Sequence, residues 1–480
     1  SFLGRGLNSP TVWFTIIGFL TLWFLKNKLS HFLFGILFLS TTVFVINKNS
    51  MGEIWSPYYN IQIKNNEDSS FNLYVNKFFH QQAVNFSSNT KAKEKYSLPY
   101  TLKSPKKVLI LGAGTGNDIA TAIMNNVPEI SAVEIDPVIA DLGKNHPNLP
   151  YKNTNVKLFI DDARSFLKKD KSKYDMIILG TLDSHALLSA MSTIRLDNFI
   201  YTTESFKDIK GHLTSDGVAV LLFSVPTQWL GEKLIKTSAF VFENPRPLFY
   251  TGDSFLYNLM IVAGPGVESI TADNKIDKTL FKQIPNMTYD IYELPTDDWP
   301  YLYLQGRNIP SHYLKVIAVL LIMSFIALHV AAPKNQLTKE TLNFFSLGTA
   351  FLLLETKSVT TLSLLFGSTW TVNLFVFGGI LIMVLLANTL ASKVTIKRIW
   401  VIYILLGLSL LLNLLVPPSY FLGYKFFFGA ILATILVSLP LFFSSLIFSH
   451  HFKSVSQIKT MYGINLMGAV LGGFLEYTSM

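Results

Sequence analysis

Apolar and polar residues fall along the chain in three blocks. Val12 to Leu25 and Leu29 to Ile46 are apolar stretches separated by Lys26-Asn27-Lys28, and neither shows a polar face. They predict a hairpin of two spanning helices, the first short for a bilayer crossing and the second just long enough. From Leu314 the chain is apolar again, with six candidate spans near 314–332, 341–365, 370–391, 399–416, 422–448 and 460–479. Between the two blocks the period changes. Residues 51–104 alternate polar and apolar positions and end in a Lys-rich segment. Short apolar runs then recur at Val108–Leu111, 131–134, Val156–Ile160, Tyr174–Leu179 and Gly217–Phe223, with helical stretches between them. Strands alternating with helices predict a parallel sheet covered on both faces, with ligand at the carboxyl ends of its strands. The expected units are a helical hairpin (1–50), a β-rich subdomain (51–104), an α/β domain (105–265), a polar juxtamembrane segment (266–312) and a six-helix domain (313–480).

The first strand of the α/β unit empties into Gly112-Ala113-Gly114-Thr115-Gly116, ahead of a helix expected at Asn117 to Asn126. Glycine at 112, 114 and 116 permits positive φ and leaves room for a ligand to touch the backbone. Such a turn can be purely structural. The acidic residues that follow change the reading: Glu134 and Asp136 close the second strand about twenty residues on, where nucleotide sites of this type place a carboxylate on the ribose, and Asp162 follows the third.

The motifs GAGTGND, VEIDP, DDARSFL and YDMIILG resemble the class I methyltransferase fold, and within it the spermidine synthase (aminopropyltransferase) branch. Ser56-Pro57-Tyr58-Tyr59 and the run to His80-Gln81 are similar to the small β-rich lid of those enzymes, and RLDNFIYTTESF at 195–206 resembles the helix leading to their last strands. FLLLETKSVT and FGSTW, within 351–370, look like membrane-embedded spermidine synthase-like proteins. The implied fold class is an α/β Rossmann-like domain with an N-terminal β-rich lid, set between transmembrane helical segments. The resemblance implies S-adenosylmethionine or its decarboxylated form as co-substrate, no metal, and a small-molecule amine or membrane-delivered acceptor. It adds Gln81, Asp118 and Ala163 to Gly112, Gly114, Gly116, Glu134, Asp136 and Asp162 as cofactor-binding candidates.

Aminopropyl transfer needs carboxylates that hold a cationic amine and accept its proton. Spermidine synthases use two aspartates in a D-S/T-S/T-D motif after the fourth strand; the matching residues here are Gly180-Thr181-Leu182-Asp183. Asp183 is the surviving carboxylate, and the glycine argues against putrescine as acceptor. His185 titrates near the working range and is a second catalytic candidate; an ordinary helix cap at Asp183 or Ser184 with an exposed histidine behind it is equally compatible. Arg195 and Asp197 either shape the pocket or form a surface ion pair. Three classes stay open: a spermidine synthase-like transferase, a methyltransferase on the same scaffold, and a non-catalytic transport or assembly protein with a nucleoside-binding domain.

Composition places the chain in a membrane. Half of its residues are hydrophobic, 15% are charged and the mean hydropathy is +0.37, which is too apolar for an ordinary soluble enzyme. The formal charge of +9 comes from scattered basic residues that make no continuous stripe, so no nucleic-acid partner is expected. With no cysteine there are no disulfides or thiolate sites. The chain begins without methionine and stops inside an apolar helix, so both ends look cut from something longer. Trp299, Tyr301 and Tyr303 in Thr296-Asp297-Asp298-Trp299-Pro300-Tyr301-Leu302-Tyr303 suggest an interfacial aromatic belt, with the aspartates lining the site as the alternative. Glu355 and Lys357 fall inside one candidate span, where each needs a partner or water; Glu476 is a candidate for Lys357. Gly468 and Gly472, four apart, allow close helix approach and make this helix a candidate contact with another copy or a further membrane subunit. The expected location is a plasma or inner membrane. Lysines in the short loops would put the α/β domain outside the cytoplasm by the positive-inside rule, whereas an adenosyl sulfonium co-substrate requires the cytosol; the cytoplasmic side is the expectation adopted.

Overall fold

The computed structural model describes residues 10–50, 52–182, 199–253, 256–273, 279–285, 290, 293–309, 311–331, 338–367, 369–394, 396–417, 420, 421, 424 and 426–476. The chain opens with α1 (Pro10–Leu25) and α2 (Leu29–Asn49), and then forms a four-stranded antiparallel sheet, β1 (Ile54–Trp55), β2 (Asn60–Asn65), β3 (Phe71–Val75) and β4 (Phe78–Ala83). Its strands alternate as the sequence does. Ile61, Leu73 and Val75 point inward onto Ile139, while their neighbours stay half-exposed. Helix α3 (Thr90–Leu102), capped by the Asn89 side chain on Ala92 N–H, joins this sheet to the α/β domain.

That domain comprises β5 (Lys107–Leu111), α4 (Asn117–Met124), β6 (Glu129–Glu134), α5 (Pro137–Leu142), β7 (Val156–Ile160), α6 (Ala163–Lys169), β8 (Tyr174–Leu179), α7 (Thr203–Gly211), β9 (Leu213–Phe223), α8 (Gln228–Val241), β10 (Leu248–Thr251), β11 (Leu259–Ala263), α9 (Val267–Ala272) and β12 (Lys282–Gln283). The sheet order is β12-β10-β11-β9-β8-β5-β6-β7. Strands β5 to β9 are parallel, with Val108 opposite Ile130 on one side and Met176 on the other. The apolar run of β5 is divided by the pleat between two cores. Leu109 and Leu111 join Phe166, Phe206 and Leu234 on one face; Val108 and Ile110 join Ile119, Tyr100 and Val267 on the other. A strand that must be apolar at every position is what a sheet covered twice demands.

Three expectations are corrected. The sheet is not wholly parallel: β10, β11 and β12 are antiparallel, because β10 and β11 are joined by a short hairpin connection that cannot support a crossover. The α/β unit does not end at 265, since α9, β12 and residues 293–304 pack onto it. The aromatic segment is core rather than an interfacial belt: Trp299, Tyr301 and Leu302 are at most 2% exposed, and Lys233 Nζ stands 4.5 Å over the Trp299 ring.

The remaining helices are α10 (Ser311–Ala331), α11 (Lys339–Phe366), α12 (Trp370–Lys393), α13 (Ile399–Leu415), α14 (Phe426–Ser454) and α15 (Ile458–Glu476). Among the described residues, Leu29–Lys48, Leu374–Lys393, Phe428–Ser454 and Ile458–Glu476 are long and apolar enough to cross a membrane; Pro10–Leu25, Ser311–Ala327 and Ile399–Leu415 are shorter apolar helices. Helices α11 and α15 pack closely. A Cβ on Gly348 would collide with the Asn465 carbonyl, and one on Gly468 with the Phe345 carbonyl; a Cβ on Gly472 would lie 2.5 Å from Thr349 O. Thr349 Oγ1 donates to Gly468 O (2.9 Å) and Asn465 Nδ2 to Phe344 O (2.9 Å). The Gly468/Gly472 face therefore packs against α11 of the same chain. Glu355 is half-buried and Lys357 exposed.

Candidate functional site

A cavity of about 370 Å³ opens at the carboxyl ends of β5, β6, β7 and β8, between the sheet and the N-terminal β-subdomain. Its floor is the loop after β5. Gly112 and Ala113 N–H both donate to Val133 O at 2.9 Å, and Gly112, Gly114 and Gly116 all have positive φ. Glu134 clamps this loop from the next strand. Its Oε2 accepts Gly114 N–H at 2.8 Å and its Oε1 accepts Asp136 N–H at 2.9 Å. Burial pushes the Glu134 carboxyl up to about 7, against the downward pull of those hydrogen bonds.

The β-subdomain is tied to the loop through side chains. Gln81 Oε1 accepts both Thr115 N–H (3.0 Å) and Thr115 Oγ1–H (2.9 Å), and Tyr151 O–H donates to Gly114 O at 2.6 Å. Asn117, at the start of α4, is the second tie. Its Nδ2 donates to Gln82 O (2.8 Å) and Tyr96 Oη (3.1 Å), and its Oδ1 accepts Val84 N–H at 3.0 Å. The same Oδ1 lies 2.9 Å from His146 Nε2. Because His146 Nδ1 accepts Asn148 N–H (3.1 Å), the proton of the neutral ring is on Nε2. His146 is fully buried, and burial pushes it down to about 4.

Two further carboxylates face the cavity. Asp118, half-buried on the first turn of α4, has Oδ2 only 3.3 Å from the point where a Cβ on Gly180 would stand, and burial pushes its carboxyl up to about 7. Asp162 is the N-cap of α6 and accepts Ser165 N–H at 2.9 Å. Beside it, Arg164 is buried and anchored by Asp297 (2.9 Å), Thr202 Oγ1 (3.2 Å) and Phe199 O (3.3 Å). Arg164 thus links the cavity wall to the segment read from sequence as interfacial.

Of the cofactor-binding candidates, Gln81, Gly112, Gly114, Asp118, Glu134, Asp162 and Ala163 line this one cavity. Gly116 does not: a Cβ there would lie 2.6 Å from Pro150 Cγ, so it serves close packing. Asp136 does not either. It is fully buried as the N-cap of α5, accepting Val138 N–H at 2.8 Å and Ile139 N–H at 3.4 Å. Asp183 and His185, with Arg195 and Asp197, lie outside the described residues. Residues not singled out from sequence include Tyr96, Asn117, Asp161, Leu182 and Ser363. Asp161 was legible as half of the Asp-Asp doublet; Ser363 comes from α11, and no local pattern announces it.

Residues 96–243 match the Spermine/spermidine synthase domain family. The chain is 34% identical over 122 residues to the polyamine aminopropyltransferase of Buchnera aphidicola subsp. Acyrthosiphon pisum, covering 24% of this chain and 40% of the relative. It is 29% identical over 124 residues to that of Korarchaeum cryptofilum, covering 25% and 36%. It thus spans well under half the length of these two curated relatives. Among solved structures, the spermidine synthase from Thermotoga maritima aligns with a TM-score of 0.37 at 20% identity, over 47% of this chain and 75% of that one.

The buried neutral His146 predicts a specific pH signature. An unfolded chain protonates this ring below about 6.5 and the folded one only near 4, so its contribution is complete above pH 6.5 and is lost as pH falls toward 4. Glu134 and Asp118, held up near 7, act in the opposite sense. The test is therefore a difference: the stability of wild type relative to His146→Asn, measured by denaturant unfolding, should shrink by roughly 2 kcal/mol between pH 7.5 and pH 5. A pH-independent difference would show that His146 is not held neutral.

Proposed function

We propose that the chain is a membrane-bound transferase of the spermidine synthase type, moving an aminopropyl group from decarboxylated S-adenosylmethionine to an amine acceptor other than putrescine. The observation that carries this reading is the convergence of the glycine loop, Glu134 and Asp118 on one cavity, within the stretch that matches the synthase domain. In this reading Glu134 accepts the ribose hydroxyls and Asp162 the adenine amine, and both residues line the cavity. In the reaction, the lone pair of a neutral amine forms a bond to the carbon beside the sulfonium; the C–S bond breaks, its electron pair stays on sulfur and methylthioadenosine leaves. The amine must then shed a proton. The work of the chain is to hold the cationic amine in line and take that proton.

Asp118 is suited to this task. Gly180 stands where the related synthases carry their first aspartate, and the Asp118 carboxylate reaches that space from α4 instead. A base entering from another backbone shifts the point at which the amine gives up its proton, which favours an acceptor other than putrescine. Asp183 is the further carboxylate expected near the reacting atom. Apolar helices on both sides of the α/β domain support delivery of the acceptor from a bilayer.

Product analysis tests the reaction. Purified protein given decarboxylated cofactor and an amine acceptor should release methylthioadenosine, with a rate that rises as pH increases through about 7, where Asp118 ionises. Asp118→Asn should lower kcat at least about 100-fold and abolish that inflection. Release of S-adenosylhomocysteine from S-adenosylmethionine would instead indicate methyl transfer, and rapid spermidine formation from putrescine would overturn the acceptor assignment.

The domain is proposed to face the cytosol, where the co-substrate is made. Because the chain has no cysteine, one introduced at Lys171 reports the side cleanly. It should resist a membrane-impermeant thiol reagent on intact cells and react after lysis; labelling without lysis would put the domain outside.

A further inference from the structure

Helix α11 begins with a reciprocal cap, Thr338 and Thr341 each bonding the other's backbone N–H (3.3 and 2.9 Å). It ends at Gly367, whose φ is +90° and whose N–H donates to Ser363 O at 2.9 Å. That end does not hang free. A Cβ on Gly367 would lie 2.7 Å from Asp162 Cβ and 2.8 Å from Ser165 Cβ, so the helix terminus rests directly on the start of α6. Only glycine permits this contact, on account of both its φ and the absent side chain.

One turn earlier, Ser363 is 3% exposed and lines the same cavity as Glu134 and Asp162. Among the described residues its hydroxyl has no hydrogen-bond partner. Two other hydroxyls nearby on α11 bond within the helix: Ser358 Oγ donates to Leu354 O (2.6 Å) and Thr360 Oγ1 to Thr356 O (3.0 Å). A buried hydroxyl left unpaired costs free energy unless something else meets it.

We propose that the last turn of α11 is a wall of the nucleoside site, with the Ser363 hydroxyl as a hydrogen-bond partner of the base edge, so that the helical bundle completes the site of the α/β domain. This rests on the nucleoside reading above and adds to it: the Asp162 end of the cavity is closed by a helix from another part of the chain. Ligand affinity then depends on how the bundle is seated, and a base contact is supplied by a residue about 200 positions after the α/β motifs.

Calorimetry of the full chain with methylthioadenosine tests this. Ser363→Ala should weaken binding about 3- to 10-fold, the loss of one hydrogen bond. Gly367→Val, which must lift the helix end off Asp162, should weaken it at least about tenfold. Gly378→Val on α12, where a Cβ meets nothing within 4 Å, should leave it unchanged. A second readout does not depend on Gly367→Val folding. In the S363C variant, the only thiol should react with a methanethiosulfonate reagent through the cavity and be protected at least about fivefold by saturating methylthioadenosine. Equal reaction rates with and without nucleoside, a thiol that never reacts, or unchanged affinity in Ser363→Ala would overturn the proposal while leaving the nucleoside site intact. Failure of wild type to bind methylthioadenosine would remove the site itself and the proposal with it.

Discussion

A buried carboxylate at the end of a central strand is the constraint on which the site depends. Glu134 sits 6% exposed and receives two backbone N–H groups, one from the glycine loop and one from the start of α5. Those bonds satisfy donors that a tight turn would otherwise leave unpaired, and they hold Gly114 where the backbone can approach a ligand. The arrangement has a cost, visible in the carboxyl being pushed up to about 7. An incoming polyol or cation, by contrast, would pair the oxygens and favour the ionised form.

Much of the α/β unit was legible because its signals are local. The run Val108 to Leu111 is apolar at every position, and each residue finds a core on one face or the other. The glycine turn, the acidic strand end and the Asp161-Asp162 doublet are also short-range features. The contacts that hold the cavity together are not. Asn117 and His146 are 29 residues apart, and Arg164 and Asp297 are 133 apart. No periodicity connects such pairs. For the same reason the Trp299 segment was misjudged: aromatic density looks alike at an interface and in a core, and only the Arg164–Asp297 pair and the Lys233–Trp299 contact distinguish them.

Glycine shows the same division between what is local and what is not. At Gly112 and Gly114 the positive φ follows from the loop itself. At Gly348, Gly468 and Gly472 the residue is small because another helix of the same chain lies against it, and sequence spacing alone does not say whose helix that is. Gly180 is of a third kind. A Cβ there would stand 3.2 Å from Gly112 O and 3.3 Å from Asp118 Oδ2, so the glycine lets a carboxylate from α4 lie against the end of β8.

The central claim is that Glu134 organises a nucleoside site, and the most direct measurement is a calorimetric comparison of methylthioadenosine binding by wild type and Glu134→Gln. Saturable binding by wild type, weakened at least about tenfold in the variant through loss of a charged hydrogen-bond acceptor, is the predicted result. Equal affinities in the two proteins, or no binding by wild type, would contradict it.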